Sequence, residues 1–443
     1  MIVVRGGTLV LPTGVQQADL AIEDERIVAI GPELPGGAGD IDASGLHVLP
    51  GLIDIHLHFN EPGRTEWEGA ATGSRALAAG GGTLYFDMPL NSTPCTVSAL
   101  EFDRKREALA RASITDFALW GGLVPGAVSA MGDLAGRGVV GFKAFMCDSG
   151  LPEFPRADDA TLLDGMRAAA ALNLPVAVHA ESEDLTRALT GRMTGRDARS
   201  FIESRPVVAE LDAIQRALLL AGETGAKLHI VHVSTGRGVA LAAEARARGV
   251  DVSIETCPHY LFFTEEDMVR IGTAAKCAPP LRPAADQEAL WLAVLRGDVD
   301  HIASDHSPTE PARKQGPFAD AWGGIAGAQS TLPVLLDRGV RARGLLIEGV
   351  ALLVAGAAAT RFRIAGKGSL AVGLDADVAL VDLAESFTLD AASLQQRHKM
   401  SPYVGRSFRG RVRRTILRGE TIFKDGAIAA GGGGRFVRPS RQP

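Results

Sequence analysis

From Gly51 to Pro308 the sequence repeats one texture, a short apolar run followed by a longer Ala/Leu/Arg-rich stretch. The runs are GLIDIHLHF (51–59), TLYFDMP (83–89), ITDFALWGGL (114–123), VVGFKAFM (139–146), PVAVHAE (175–181), KLHIVHVS (227–234), VDVSIETCP (250–258) and HIASDHSP (301–308). Stretches such as TLLDGMRAAAALN and LDAIQRALLLAGETG separate them and read as helices. Short strands alternating with helices form a parallel sheet with crossover connections. Eight such units predict an α/β chain built on a (β/α)8 TIM-type barrel, with a doubly wound open sheet as the alternative.

The flanks have a different texture. Residues 1–50 read as short strands between turns (IVVRGGTLVL, ADLAIEDERIVAIG, GLHVLP), and strand-like runs return after about residue 365 (GSLAVG, ADVALVDL, RRTILRGETIFKDG). We therefore expect residues 1–50 and 365–443 to build one small β-sandwich domain from both chain ends, with the barrel domain, 51–364, inserted between them. The closing GGGGRFVRPSRQP is expected to fray. The 443 residues, 46% of them apolar, suffice for two such units.

Charge and cysteine usage narrow the partners. A net charge of −6 argues against a general nucleic-acid binder. No apolar run reaches the ~18 residues of a membrane span, and the N-terminus lacks a secretory layout. The four cysteines, at 95, 147, 257 and 277, form no CxxC pair, which points to a reducing cytoplasm. The glycine-containing stretches at 80–82 and 365–369 do not match phosphate-binding loops. A small-molecule substrate is the expectation.

Metal-capable side chains recur at one place in the predicted units. His56 and His58 are two apart, so they share a face at the end of the first strand. Lys143 lies near the end of the fourth run, His179 in the fifth, His232 in the sixth and Asp305 in the eighth. Barrel enzymes place their active sites at the C-terminal ends of the strands. Imidazole and carboxylate donors suit zinc, cobalt, manganese or iron, and the set reads as a binuclear centre. Four histidines and one aspartate are too few for two ions without a bridge. An ammonium has no lone pair to offer. As an N6-carboxylysine carbamate, Lys143 would bridge two cations; as a plain lysine, it would neutralise Asp305 or snorkel. A bridged pair of ions yields a hydroxide near neutral pH, and Asp305 is placed to relay its proton to a leaving nitrogen. That combination hydrolyses an amide.

The other histidines carry less. His229, out of phase with His232, is expected to face the helices. His47, His301 and His398 read as structural or exposed, while His259 and His306 stay ambiguous. Cys147 reads as a buried, inert thiol. The arginines from 406 to 418 read as a solvated sheet face.

Longer motifs then add a resemblance. PGLIDIHLHFNEPGRTEWEGAATGSRALAAGG and FDMPLNSTP, followed in order by GFKAFM, PVAVHAE, LHIVHVS, ETCPHYL, KCAPPLR, SDHSP and AWGGIAG, resemble the cyclic amidohydrolases. SPYVGRSFRGRVRRTILRGETIFKDG is similar to that family's final segment, so the resemblance runs to about residue 427. It implies a homo-oligomer, a tetramer or dimer. It also implies two divalent metal ions, zinc foremost: His56, His58 and Asp305 on one, His179 and His232 on the other, carboxylated Lys143 and a hydroxide between them. All six positions are filled, which counts against a non-catalytic assembly protein of the same fold.

Within the family, the match is strongest to the branch that opens the hydantoin ring of allantoin. Members acting on dihydroorotate place charged or amide groups where this chain has Asn60, Ala278 and Thr309, and a buried carboxylate lacking its charged donor costs several kcal/mol. Hydantoinases and dihydropyrimidinases, the alternative, usually carry a tyrosine where this chain has Asp148. Asn60, Asn91, Ser307 and main-chain groups near Ala278 and Gly324 are the candidate substrate contacts.

Overall fold

In the computed structural model, which describes residues 1–429 and 433–440, eight parallel strands close into a barrel. In order they are Leu52–Leu57, Gly82–Asp87, Asp116–Leu119 (continued by Gly121–Gly122), Phe142–Phe145, Val176–His179, Leu228–Ile230, Val252–Thr256 and His301–Ile302. Nearly every residue in them is buried. That is why they read as unbroken apolar runs: helices cover the outer face and the barrel core fills the inner one. The last strand is joined to the first at His306, which pairs with Leu57 and accepts a hydrogen bond from the His58 amide.

The connecting helices carry their own start signals. Asp158 caps Asp159–Ala171 by accepting from the Thr161 amide, and Thr235 caps Gly236–Ala247 by accepting from the Gly238 amide. Val207–Thr224 and Ala284–Arg296 present Ala, Ile, Leu and Trp to the barrel. Among the described residues, no helix is long and apolar enough to cross a membrane.

Both chain ends meet in one nine-stranded sheet. His47–Pro50, just before the barrel, pairs with Ile2–Leu11 on one side and with Val378–Thr388 on the other. The hydrogen bonding is continuous from one chain end to the other, so the expected small β domain is built on a single sheet. It folds over on itself, bringing Ile22 against Gly419, and encloses its own core of Val4, Leu20, Ile27, Val378 and Ile416.

The tail differs from expectation. Phe436 sits between Phe102 and Phe117, and the Arg435 amide and Arg418 guanidinium both bond to Asp116. One aromatic anchor and one buried carboxylate outweigh the glycine run before them. The residues at 431–432 and 441–443, which share that expectation, lie outside the described residues. The arginine stretch is partly paired as well: Arg411 and Arg413 clasp Glu385.

Candidate active site

The strand ends converge as alternation and barrel geometry require. His56 belongs to the first strand, with His58 just beyond it; Lys143 belongs to the fourth and His179 ends the fifth. His232 and Asp305 lie past the ends of the sixth and eighth strands, with φ of 40° and 44°. Left-handed backbone costs a non-glycine residue about 1 kcal/mol, and it is held where the surrounding structure imposes it. His56, His58, His179, His232 and Asp305 all line one cavity of about 420 Å³. Lys143 is completely buried, and its amine has no hydrogen-bond partner.

Asp305 Oδ1 lies 3.2 Å from His56 Nε2 and 3.4 Å from His58 Nε2. Burial works against the Asp305 anion, but His56 and His58 outweigh it and hold the carboxyl down to about 2. Burial lowers the pKa values of His58, His179 and His232, leaving neutral rings with a lone pair to give. Burial also brings the Lys143 amine down to about 8. Four imidazoles and one ionised carboxylate around one cavity, with an unpartnered buried amine behind the wall beside Phe145, fit a centre of divalent cations, and the ligand atoms of His56, His58 and Asp305 lie within 4.8 Å of one another.

The candidate substrate contacts divide. Asn91, Ala278, Ser307 and Gly324 line the cavity, as does Asp148, and the Asn91 side chain donates to Ser307 Oγ at 3.3 Å. Asn60 does not reach the wall; it is fully buried, and its amide donates to the Pro308 carbonyl at 3.3 Å. Two cations also line the cavity. Lys276 gives its three donors to the carbonyls of Phe318, Ala319 and Ala321, at 2.8, 2.9 and 2.7 Å, and Arg205 is paired with Glu181.

Comparison with known proteins agrees with this geometry. The model of the amidohydrolase family matches residues 47–422, which contain every residue of the cavity wall. The chain belongs to the amidohydrolase family. Curated relatives include allantoinases of Solibacter usitatus (63% identical; 99% of this chain, 96% of the relative) and Deinococcus radiodurans (52%; 99% and 98%). Among solved structures, an L-hydantoinase (dihydropyrimidinase) from Arthrobacter aurescens superposes with a TM-score of 0.96 at 33% identity, covering 99% of both chains. A dihydropyrimidinase from Brevibacillus agri gives 0.92 at 28% identity, covering 100% of this chain and 99% of that one. As an amidohydrolase the protein is a hydrolase, and its barrel with a sheet from both chain ends is shared along the whole length of these neighbours.

In this amidohydrolase, several buried polar residues beside the cavity escaped the sequence reading. Glu255 Oε1 lies 2.7 Å from His56 Nδ1 and accepts from the His232 amide at 3.0 Å; Oε2 lies 3.2 Å from His229 Nε2. His229 therefore faces the barrel interior, not the helices, with Ser253 Oγ 2.9 Å from its other nitrogen. The offset between His229 and His232 misleads because the strand stops at Ile230 and His232 takes left-handed backbone. Glu181 Oε2 lies 2.7 Å from His179 Nε2 and accepts from Arg205 at 2.5 Å. Buried Glu residues within apolar strand runs were the available signal. His306 has a structural part: its Nδ1 accepts from the Gly327 and Ala328 amides. Cys147 is buried, which pushes its thiol up to about 12.

Proposed function

We propose that this amidohydrolase opens the hydantoin ring of allantoin to give allantoate, in purine-nitrogen breakdown. The observation that carries the reading is the full-length relationship, at up to 63% identity, to relatives named allantoinase. The cavity is compatible with a neutral, amide-rich ring. Lys276 and Arg205 are already committed to carbonyls and to Glu181, so a substrate carboxylate finds no free cation there.

His56, His58 and Asp305 would hold one divalent ion and His179 and His232 the other, with Lys143 as a carbamate between them. Zinc suits this donor set best, and cobalt or manganese is compatible with it. Ions held by these residues would lower the pKa of a bound water and polarise a carbonyl oxygen. Asp305, ionised at neutral pH, takes a proton from the attacking water and passes it to the departing ring nitrogen. Asn91, Ser307 and main-chain groups around Ala278 and Gly324 pair with the ring and ureido amides and fix which carbonyl is presented. The four cysteines are all free, in keeping with a cytoplasmic enzyme. We further place it as a homo-oligomer, dimer or tetramer, which light scattering reads directly.

A second reading, a hydantoinase or dihydropyrimidinase, is favoured by the structural neighbours. Turnover of allantoin, hydantoin, dihydrouracil and dihydroorotate, assayed side by side with metal-replete protein, separates the two. Allantoin should lead by orders of magnitude. Comparable rates on hydantoin and dihydrouracil would move the assignment to the second reading.

A further inference from the structure

Two buried glutamates touch the histidines of the cavity, and they do so in different ways. Glu255 is shared among the His56 ring, the His232 main chain and the His229 ring. Glu181 meets one imidazole, with Oε2 at 2.7 Å from His179 Nε2. The same oxygen accepts from Arg205 Nη1, and the Glu181 side chain is fully buried.

The His179 ring is stacked on Phe145, with centroids 4.4 Å apart and planes 12° from parallel. Stacking fixes the plane of a ring but not which edge faces the cavity, because a half-turn about the Cβ–Cγ bond restores the plane while exchanging nitrogen for carbon. A carboxylate at one ring nitrogen removes the ambiguity: it accepts an N–H and repels a lone pair. It must itself be charge-balanced when buried. Arg205 supplies the opposite charge and is braced in turn, since Arg282 donates to the Arg205 carbonyl at 2.7 Å and to Ser234 Oγ at 2.9 Å. Ser234 Oγ donates to Glu210.

We propose that Glu181 and Arg205 are positioning residues for one of the two metal positions: Glu181 holds His179 as its Nε2–H tautomer, with the Nδ1 lone pair free for the ion, and Arg205 balances the Glu181 charge. The proposal rests on the reading above that His179 is a ligand. Its consequence is a division between the two ions. Loss of the Glu181 charge weakens the ion on His179 and His232 and spares the ion on His56, His58 and Asp305, which Glu255 supports.

The test is zinc stoichiometry and affinity, titrated against a chromophoric chelator, for the full-length wild type, Glu181→Gln and His179→Asn. The wild type should bind two ions and His179→Asn one. Glu181→Gln should keep its first ion near wild-type affinity and bind the second ~10–100-fold more weakly. Wild-type affinity for both ions in Glu181→Gln overturns the proposal, and so does equal weakening of both. A wild type that binds fewer than two ions, or a His179→Asn that binds two, overturns the underlying ligand reading instead. If Glu181→Gln does not fold, nitrogen NMR of 15N-histidine-labelled wild type decides. The resonances missing from His179→Asn should report Nε2–H, and an Nδ1–H tautomer refutes the proposal.

Discussion

Asp305 Oδ1 lies 3.2 Å from His56 Nε2, across the seam where the last barrel strand meets the first. The contact joins a residue beyond the end of the eighth strand to one within the first, so its geometry depends on barrel closure at His306. An amide at position 305 keeps the shape but removes the anion and, with it, the proposed proton carrier. Asp305→Asn should lower kcat ~10²–10⁴-fold with little change in melting temperature. Steady-state kinetics together with thermal unfolding check this; a kcat within a few-fold of wild type would remove Asp305 from proton transfer.

Lys143 supplies a pH prediction. Carbamate formation joins a neutral amine to carbon dioxide and releases a proton, so only the unprotonated amine reacts. Burial holds this amine at about 8 rather than near its ordinary 10.5, so the reactive fraction at pH 7 is about one in ten instead of about one in 3,000. Metal reconstitution of metal-free protein should therefore accelerate with added bicarbonate. It should also rise with pH from 7 to about 8 and level off above that. Metal uptake and recovered turnover check this, with dissolved carbon dioxide held fixed across the pH series and varied at one pH for the bicarbonate series, and metal uptake by Lys143→Met should be indifferent to bicarbonate. A rate indifferent to bicarbonate would argue for a plain lysine.

Much of the fold and part of the site were legible because they rest on short-range regularities. Eight apolar runs reveal eight buried parallel strands, and the two-residue spacing of His56 and His58 puts both at one strand end. Alternation fails where strands stop. His232 and Asp305 lie on left-handed backbone past the ends of their strands, which re-aims them, and the same break makes the spacing of His229 and His232 misleading. Glu181 and Arg205 are 24 residues apart and meet only in the folded chain. Asn60 is polar and next to the His56–His58 pair, yet the chain turns it inward at φ 58° toward Pro308.

The tail offers a test of stability without chemistry. Phe436 packs edge-on against Phe102, with centroids 5.7 Å apart, and lies 5.8 Å from Phe117. It is half-buried and remote from the cavity wall. Phe436→Ala should cost about 1–3 kcal/mol, less than a fully buried phenylalanine. Denaturant unfolding should show that loss while kcat and KM stay at wild-type values. A changed kcat would mean that the tail communicates with the site.

Gly324 ties backbone conformation to the proposed substrate contacts. Its φ is +128°, and a Cβ there would stand 2.2 Å from the Ser307 carbonyl oxygen and 2.9 Å from Ser307 Oγ. Its amide also donates to the Lys276 carbonyl at 2.7 Å, and its carbonyl accepts from Lys314 at 2.7 Å, so the loop cannot retreat without losing both bonds. Gly324→Ala must therefore displace Ser307, and with it the Asn91–Ser307 hydrogen bond. Strain of this kind costs on the order of 1–3 kcal/mol. Because the displaced groups are proposed to bind substrate and not to move protons, KM should rise at least ~10-fold while kcat falls less. Kinetics on allantoin read the split directly. A fall in kcat at constant KM would place Ser307 in the chemical step instead of in substrate binding.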